Sequence, residues 1–177
     1  MARHVPMPTN LELKARFPSV SSAERVARKL TARRVGTLNQ VDTYYRISGG
    51  RLKVREINQT SVELIFYRRA NTTSSRYSDY TIVRCSSAHA VKKLCAALFD
   101  VRVVVRKRRI LYLYKNARIH IDRVRGLGVY IEFEVVVTKG KQQARRLMAT
   151  LTEAFGISKQ SMIGSSYSDM LARKGKG

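Results

Sequence analysis

The sequence predicts an α+β fold: a closed antiparallel eight-stranded β-barrel with helices packed outside. Three observations predict it. Eight runs alternate with period two, and five of them put charge on one face and aliphatic side chains on the other. Three longer stretches carry an apolar stripe at helical spacing instead. A sandwich accounts for any one such strand, with its polar face in water, but five strands of convergent charge fit a charged lumen whose apolar outside is covered by helices.

In chain order, the first strand is 10–16, where Glu12, Lys14 and Arg16 alternate with Leu11, Leu13 and Ala15. A helix follows, with Ser21 and Glu24 read as its capping box and Ala23, Val26, Ala27 and Leu30 as its stripe. Alternating runs at 39–47, 51–57, 62–69 and 76–84 read as strands, separated at Gly49-Gly50 and at the polar cluster 71–75. A second helix covers 87–99, with Val91, Leu94, Cys95 and Leu98 as its apolar stripe. Strands return at 101–113, 117–123 and 129–137, the last two joined by RVRGLG, whose Gly126 and Gly128 supply positive φ. The third helix, 141–155, carries Ala144, Leu147, Met148 and Leu151, with Gly156 suited to its C-terminal end. Residues 1–9 read as an N-terminal extension, 10–171 as one domain and 172–177 as a frayed basic tail.

Composition narrows the function. The 177 residues are 44% hydrophobic, enough for a real core and too apolar for disorder. No apolar run approaches a membrane span, and the first ten residues lack the apolar stretch of a secretory signal. Cys85 and Cys95 form no metal spacing and are expected as free thiols in a reducing compartment: intracellular and cytoplasmic, or alternatively the mitochondrial matrix. Lys and Arg number 35 against 12 Asp and Glu, a net +23 that calls for a polyanionic partner: nucleotide phosphates, RNA, DNA or an anionic membrane.

The acids stand out against that background. In RIHIDRVRGLGVYIEFEV (118–135), Arg118, His120 and Asp122 share one face, as do Tyr130, Glu132 and Glu134. Arg51, Lys53 and Arg55 share another, and so do Lys107 and Arg109, with Arg108 opposite. A row of carboxylates beside a row of cations suits a divalent metal and a phosphate chain between them. Glu12, Asp122, Glu132 and Glu134 are hard oxygen donors for Mg²⁺ or Mn²⁺, and Lys14, Lys53, Arg55, Arg68, Lys107 and Arg109 are matched to phosphate oxygens. His120 reads as a general base or a structural hydrogen bonder, and Asp42 as a lumen counter-ion or a turn cap. Tyr44 and Tyr45 read as core or rim, His89 as surface and His4 as terminus.

The ordered set NLELK (10–14), QVDTYY (40–45), GRLKVRE (50–56), LIFYRR (64–69), VVRKRR (104–109) and RIHIDRVRGLGVYIEFE (118–134), ending at SYSDML, resembles the CYTH domains, the triphosphate tunnel metalloenzymes. The layout is most similar to the class IV adenylyl cyclase-like (CyaB-like) branch. The resemblance implies a tunnel barrel and a Mg²⁺- or Mn²⁺-dependent enzyme, either a nucleotide cyclase or a triphosphate phosphohydrolase. It implies Glu12, Asp122, Glu132 and Glu134 as metal ligands and Lys14, Lys53, Arg55, Arg68, Lys107 and Arg109 as triphosphate contacts, with Lys14 and Asp122 catalytic. Asn10 stands where the family's ExExK signature has its first Glu, a weaker metal donor. The alternative class is a CYTH fold recruited as a basic RNA-binding subunit of a ribonucleoprotein such as a mitochondrial ribosome. Its RNA surface is expected on Arg25, Arg28, Lys29, Arg33 and Arg34, read as one helical face.

Overall fold

The computed structural model describes residues 10–68, 76–138 and 140–175, without the side chains of 76–79. The expected N-terminal extension, with His4, lies outside the described residues, as do the 71–75 cluster and Arg69 of LIFYRR. Among the described residues, eight strands run in chain order with four α-helices: β1 (Asn10–Arg16), α1 (Val20–Lys29), β2 (Arg33–Tyr45), β3 (Arg51–Ile57), β4 (Ser61–Arg68), β5 (Arg76–Cys85), α2 (Ala88–Leu98), β6 (Val101–Tyr114), β7 (Ala117–Val124), β8 (Gly128–Val136), α3 (Lys141–Ala154) and α4 (Tyr167–Lys174). The strands close into an antiparallel barrel in the order β1-β5-β4-β3-β2-β6-β7-β8. The β1–β8 seam is long, pairing Asn10 through Arg16 with Val136 through Tyr130, whereas β1 meets β5 only from Asn10 to Glu12.

Period-two alternation separates the barrel's two faces. Leu11, Leu13, Ala15, Ile119, Ile121, Ile131, Phe133 and Val135 point outward and are buried. They lie in one cluster with Ala23 and Ala27 of α1 and Ala144, Leu147, Met148 and Leu151 of α3. Alanines on α1 allow a close helix–sheet approach. Phe133 stacks edge-on against Phe155 at 5.1 Å, and burying such a ring stabilises by about 1.5–3 kcal/mol. Gly126 and Gly128 adopt φ +81° and +109° in the β7–β8 hairpin, as expected, and Gly156 turns the chain after α3 at φ +60°.

Four local expectations need correcting. Ser19, not Ser21, caps α1, accepting from the Ser22 amide at 3.1 Å. Glu24 instead accepts the Tyr112 hydroxyl at 2.9 Å, tying α1 to β6. α1 also ends at Lys29; Thr31 takes φ +57°, and Arg33 and Arg34 open β2. The stripe on α2 is only half covered: Cys95 is buried, while Leu94 and Leu98 are exposed. The expected basic tail begins inside α4, which continues to Lys174.

α4 is a strap across one end of the barrel. Its N-terminus carries a capping box between Ser166 and Asp169. Asp169 also accepts from Arg51 of β3 at 2.8 Å and from Arg102 of β6 at 2.7 Å. On the near side, the Ile163 amide donates to the Lys14 carbonyl, and Met162 bridges to Ala15. Tyr167 then packs with Tyr44, Val105, Val124 and Tyr130 beneath Met170 and Leu171, closing that end with an apolar floor.

Candidate active site

Above this floor the inward faces of the strands line a cavity of about 340 Å³. Two charge clusters divide it. On β2, β3 and β6, Asp42 is 1% exposed and sits among three cations. Arg55 donates to it through Nε at 2.7 Å and Nη2 at 2.9 Å, Lys53 donates at 3.2 Å, and Lys107 stands 3.8 Å away. Burial pushes the Asp42 carboxyl up, and the charges of Arg55, Lys53 and Lys107 more than offset this, holding it well below the usual carboxylate range. The cations are crowded in return. Burial and then Arg55 bring the Lys53 ammonium down to about 7, and burial and Arg109 lower Lys107.

On β1, β7 and β8 the balance reverses. Glu132 meets Lys14 at 3.3 Å and accepts from Arg109 at 2.8 Å. Glu134 accepts from Arg118 at 3.2 Å and lies 3.6 Å from His120 Nδ1. Register explains the convergence: Lys14 pairs with Glu132, Glu12 and Arg118 with Glu134, and His120 with Glu132 across the strands. Burial, then Arg109, lowers the His120 imidazole to about 4, so it is neutral at physiological pH. Its Nδ1 is buried with no hydrogen-bond partner among the described residues, as are Asn10 Oδ1 and Gln40 Oε1. Orphaned acceptors of this kind cost about 1–3 kcal/mol each unless something fills the space between them.

The expected ligand set therefore divides. His120, Glu132 and Glu134 bring donor atoms within 4.8 Å of one another, a set that fits a divalent cation. Glu12 faces the same cavity, half-buried, opposite Glu134. Asp122 is placed differently from the metal ligand expected of it. Arg109 clamps both its oxygens at 2.7 Å, and the Tyr167 hydroxyl donates to it at 2.9 Å, so it is the counter-ion of Arg109 and an anchor for α4. Lys14 lies 4.0 Å over the Tyr167 ring. Lys53, Arg55, Lys107 and Arg109 all line the cavity, as expected. Arg68 does not. On β4 the inward residues are Ile65 and Tyr67, so Arg68 falls on the outer face, where it donates to the Gly49 carbonyl at 3.0 Å and covers Phe66.

The basic run at 25–34 is exposed but is not one helical face. Arg25, Arg28 and Lys29 belong to α1, Arg33 and Arg34 to β2, and Arg28 and Arg34 share Glu24 at 3.7 Å each. Sequence reasoning left open the part played by Asp42 and gave none to Tyr167 or Asp169. The signals were QVDTYY, where a lone acid alternates with Gln40 and Tyr44, and the S-x-x-D spacing of the α4 cap.

A family model for the CYTH domain matches residues 8–167. The chain belongs to the CYTH family. Among solved structures it superimposes on the PH1012 protein of Pyrococcus horikoshii with a TM-score of 0.82 at 21% identity, covering 90% of this chain and 98% of that one. A Vibrio parahaemolyticus protein proposed to be an adenylate cyclase matches with a TM-score of 0.76 at 18% identity, covering 94% and 99%. HpAC1 of Hippeastrum, described as having a dominant triphosphatase activity, gives 0.65 at 15% identity, covering 94% and 96%. At these identities the likeness is one of fold. No curated protein matches the CYTH chain by sequence. No helix among the described residues is long and apolar enough to cross a membrane.

Proposed function

We propose that this CYTH protein is a divalent-metal-dependent enzyme that hydrolyses a triphosphate, which enters its cavity phosphate-first. The observation that carries this reading is the division of one blind cavity into a cation-rich and an acid-rich wall. Each wall holds buried ion pairs that a phosphate chain and a metal would replace. Lys53, Arg55 and Lys107 take the phosphate oxygens, exchanging the single carboxylate of Asp42 for several anionic ones. Lys14 and Arg109 stand between the walls and neutralise the phosphoryl group that departs. Asp122 holds Arg109 in a fixed bidentate orientation.

Glu132, Glu134 and the neutral His120 would hold the metal, with Glu12 across the strand. Once bound, a divalent cation supplies Lewis-acid stabilisation of charge at the attacked phosphorus. An imidazole donor in the set favours Mn²⁺ over Mg²⁺. The Tyr167 floor closes the inner end, so the terminal phosphorus sits deepest and an organic substituent stays at the mouth, which favours hydrolysis over cyclisation. The likeness to HpAC1 supports the same choice.

A substrate panel tests this: inorganic triphosphate, ATP, thiamine triphosphate and 5′-triphosphate RNA, each with Mg²⁺ or Mn²⁺. Orthophosphate release is the expected result. Cyclic AMP and pyrophosphate from ATP would replace hydrolysis with a cyclase reaction, and no turnover on any member would overturn the enzyme reading.

A further inference from the structure

Among the described residues the cavity accounts for few of the cations, and most lie outside it. One outer surface is distinctive. Arg108 of β6 and Arg123 of β7 are directly paired across the strands. One step along, the Arg125 amide donates to the Arg106 carbonyl at 2.9 Å, which sets these two side by side as well. All four are exposed. None makes an ion pair with an acid among the described residues. Like charges placed opposite one another on a sheet are destabilising, so nothing in folding favours this arrangement. α1 covers the neighbouring Ile119, Ile121 and Tyr112 but stops short of the four arginines. The result is two rows of arginines on a rigid pleated face, their backbone positions about 5 Å apart across the strands and about 7 Å along them.

We propose that the outer face of β6–β7 binds the phosphate backbone of a nucleic-acid duplex. Arginine forks match phosphate oxygens bidentately, and a rigid sheet presents them without ordering a loop. Single-stranded nucleic acid is held by stacking bases on aromatic side chains. The exposed neighbours here are Asn39 and Val104 instead, so contact is to the backbone and independent of sequence. An anionic bilayer would call for large apolar side chains to insert, and the apolar residues bordering the arginines are the valines Val41, Val104 and Val129, of which Val104 alone is exposed. α1, by contrast, spends Arg28 on Glu24.

The test measures binding of the full chain to short duplex RNA, duplex DNA, the single strands and phosphatidylserine vesicles across a salt series. Four phosphate contacts predict a slope of log K against log salt of roughly −3.6 for DNA. Changing Arg106, Arg108, Arg123 and Arg125 together to Gln is expected to flatten that slope and weaken duplex binding at least about tenfold at low salt. The thermal midpoint should hold or rise, because repulsion is relieved. Arg25, Arg28 and Lys29 changed to Gln serve as the comparison and should alter the slope less. The proposal is overturned if the sheet variant keeps its duplex affinity, if the α1 variant flattens the slope instead, or if vesicles or single strands are bound in preference to duplex. None of these readouts depends on turnover, so a failure here leaves the hydrolase reading standing, and the reverse.

Discussion

The two walls of the cavity use the same residue types in opposite proportions. Around Asp42, one acid holds three cations; around Glu132 and Glu134, acids and cations are nearly matched and a neutral imidazole joins them. The first wall is short of negative charge and the second has donor atoms left over. On the reading proposed above, a metal triphosphate would supply both deficits at once, oxygens to β2, β3 and β6 and a cation to β7 and β8. The difference teaches that the two walls do not balance alike, and this imbalance is what the proposed exchange of ion pairs rests on.

The largest effect should come from removing the lone acid of the first wall. Asp42→Ala strands Lys53, Arg55 and Lys107 in a buried site, which predicts a loss of about 3–5 kcal/mol in urea unfolding. Unlike an ordinary core defect, this one should be largely reversed by inorganic triphosphate without metal, since the ligand replaces the missing anion. A loss with no rescue would mean that Asp42 is structural and that the first wall does not receive phosphate.

On the second wall, Glu132→Gln and Glu134→Gln should each lower turnover by roughly 10²-fold or more, as loss of a charged stabiliser does. The fold should survive, because an amide still accepts from Lys14 or Arg118. Mn²⁺ binding followed by its electron spin resonance signal should weaken in parallel, and in His120→Phe as well. Unchanged turnover with unchanged metal dependence would remove the metal from this wall.

The facing residues of the second wall and the cations of the first were legible in the sequence; the part of Asp42 among those cations was left open, for a physical reason. Glu132, Glu134, His120 and Arg118 sit on two strands joined by a tight glycine turn, so alternation alone fixes who faces whom. Asp42 meets Arg55 across β2–β3 and Lys107 across β2–β6, and β2 carries register shifts at Arg34/Gly36 and Tyr44/Tyr45. No local pattern reports that register. Arg68 was misread because on β4 Glu63, Ile65 and Tyr67 share the inward parity, which leaves Arg68 on the outer face with Val62, Leu64 and Phe66. Arg33 and Arg34 were misread because the helix ends at Lys29 and the chain turns at Thr31 in a left-handed conformation without a glycine to mark it. Leu94 and Leu98 had the right spacing, but α2 overhangs the sheet it covers.

Asp169 supplies a contrast outside both walls. Burial raises its carboxyl, and the Ser166 hydroxyl, Arg51 and Arg102 bring it down to about 2. A depressed folded-state value stabilises above the unfolded value of about 3.9, and that stability is lost as pH falls through about 2. Asp169→Asn is expected to remove about 2 kcal/mol at neutral pH and to flatten the acid limb of the stability curve between about pH 4 and pH 2. Triphosphate should not restore it, because the ties of Asp169 to Arg51 and Arg102 lie outside the cavity. Rescue equal to that of the Asp42 variant would show that the ligand acts on the whole barrel and not on one wall.

The smallest effect sharpens the comparison most. Lys53 titrates near 7 because burial and Arg55 disfavour its charge, so at neutral pH part of the first wall is neutral until an anion arrives. Binding phosphate should restore the proton, and affinity for inorganic triphosphate should fall by up to about tenfold per pH unit above 7. Lys53→Met, close in volume and without charge, should bind about tenfold more weakly at pH 7 and lose the part of the pH dependence that the native protein shows beyond the ligand's own. Lys107→Ala should raise KM in the same direction, while Arg108→Ala, one residue on and facing outward, should leave KM as it was. Calorimetry in buffers of different ionisation enthalpy reads the proton uptake directly. If Lys53→Met takes up the same number of protons as the native chain, the titrating group lies on the other wall, and the division of labour between the two walls fails with it.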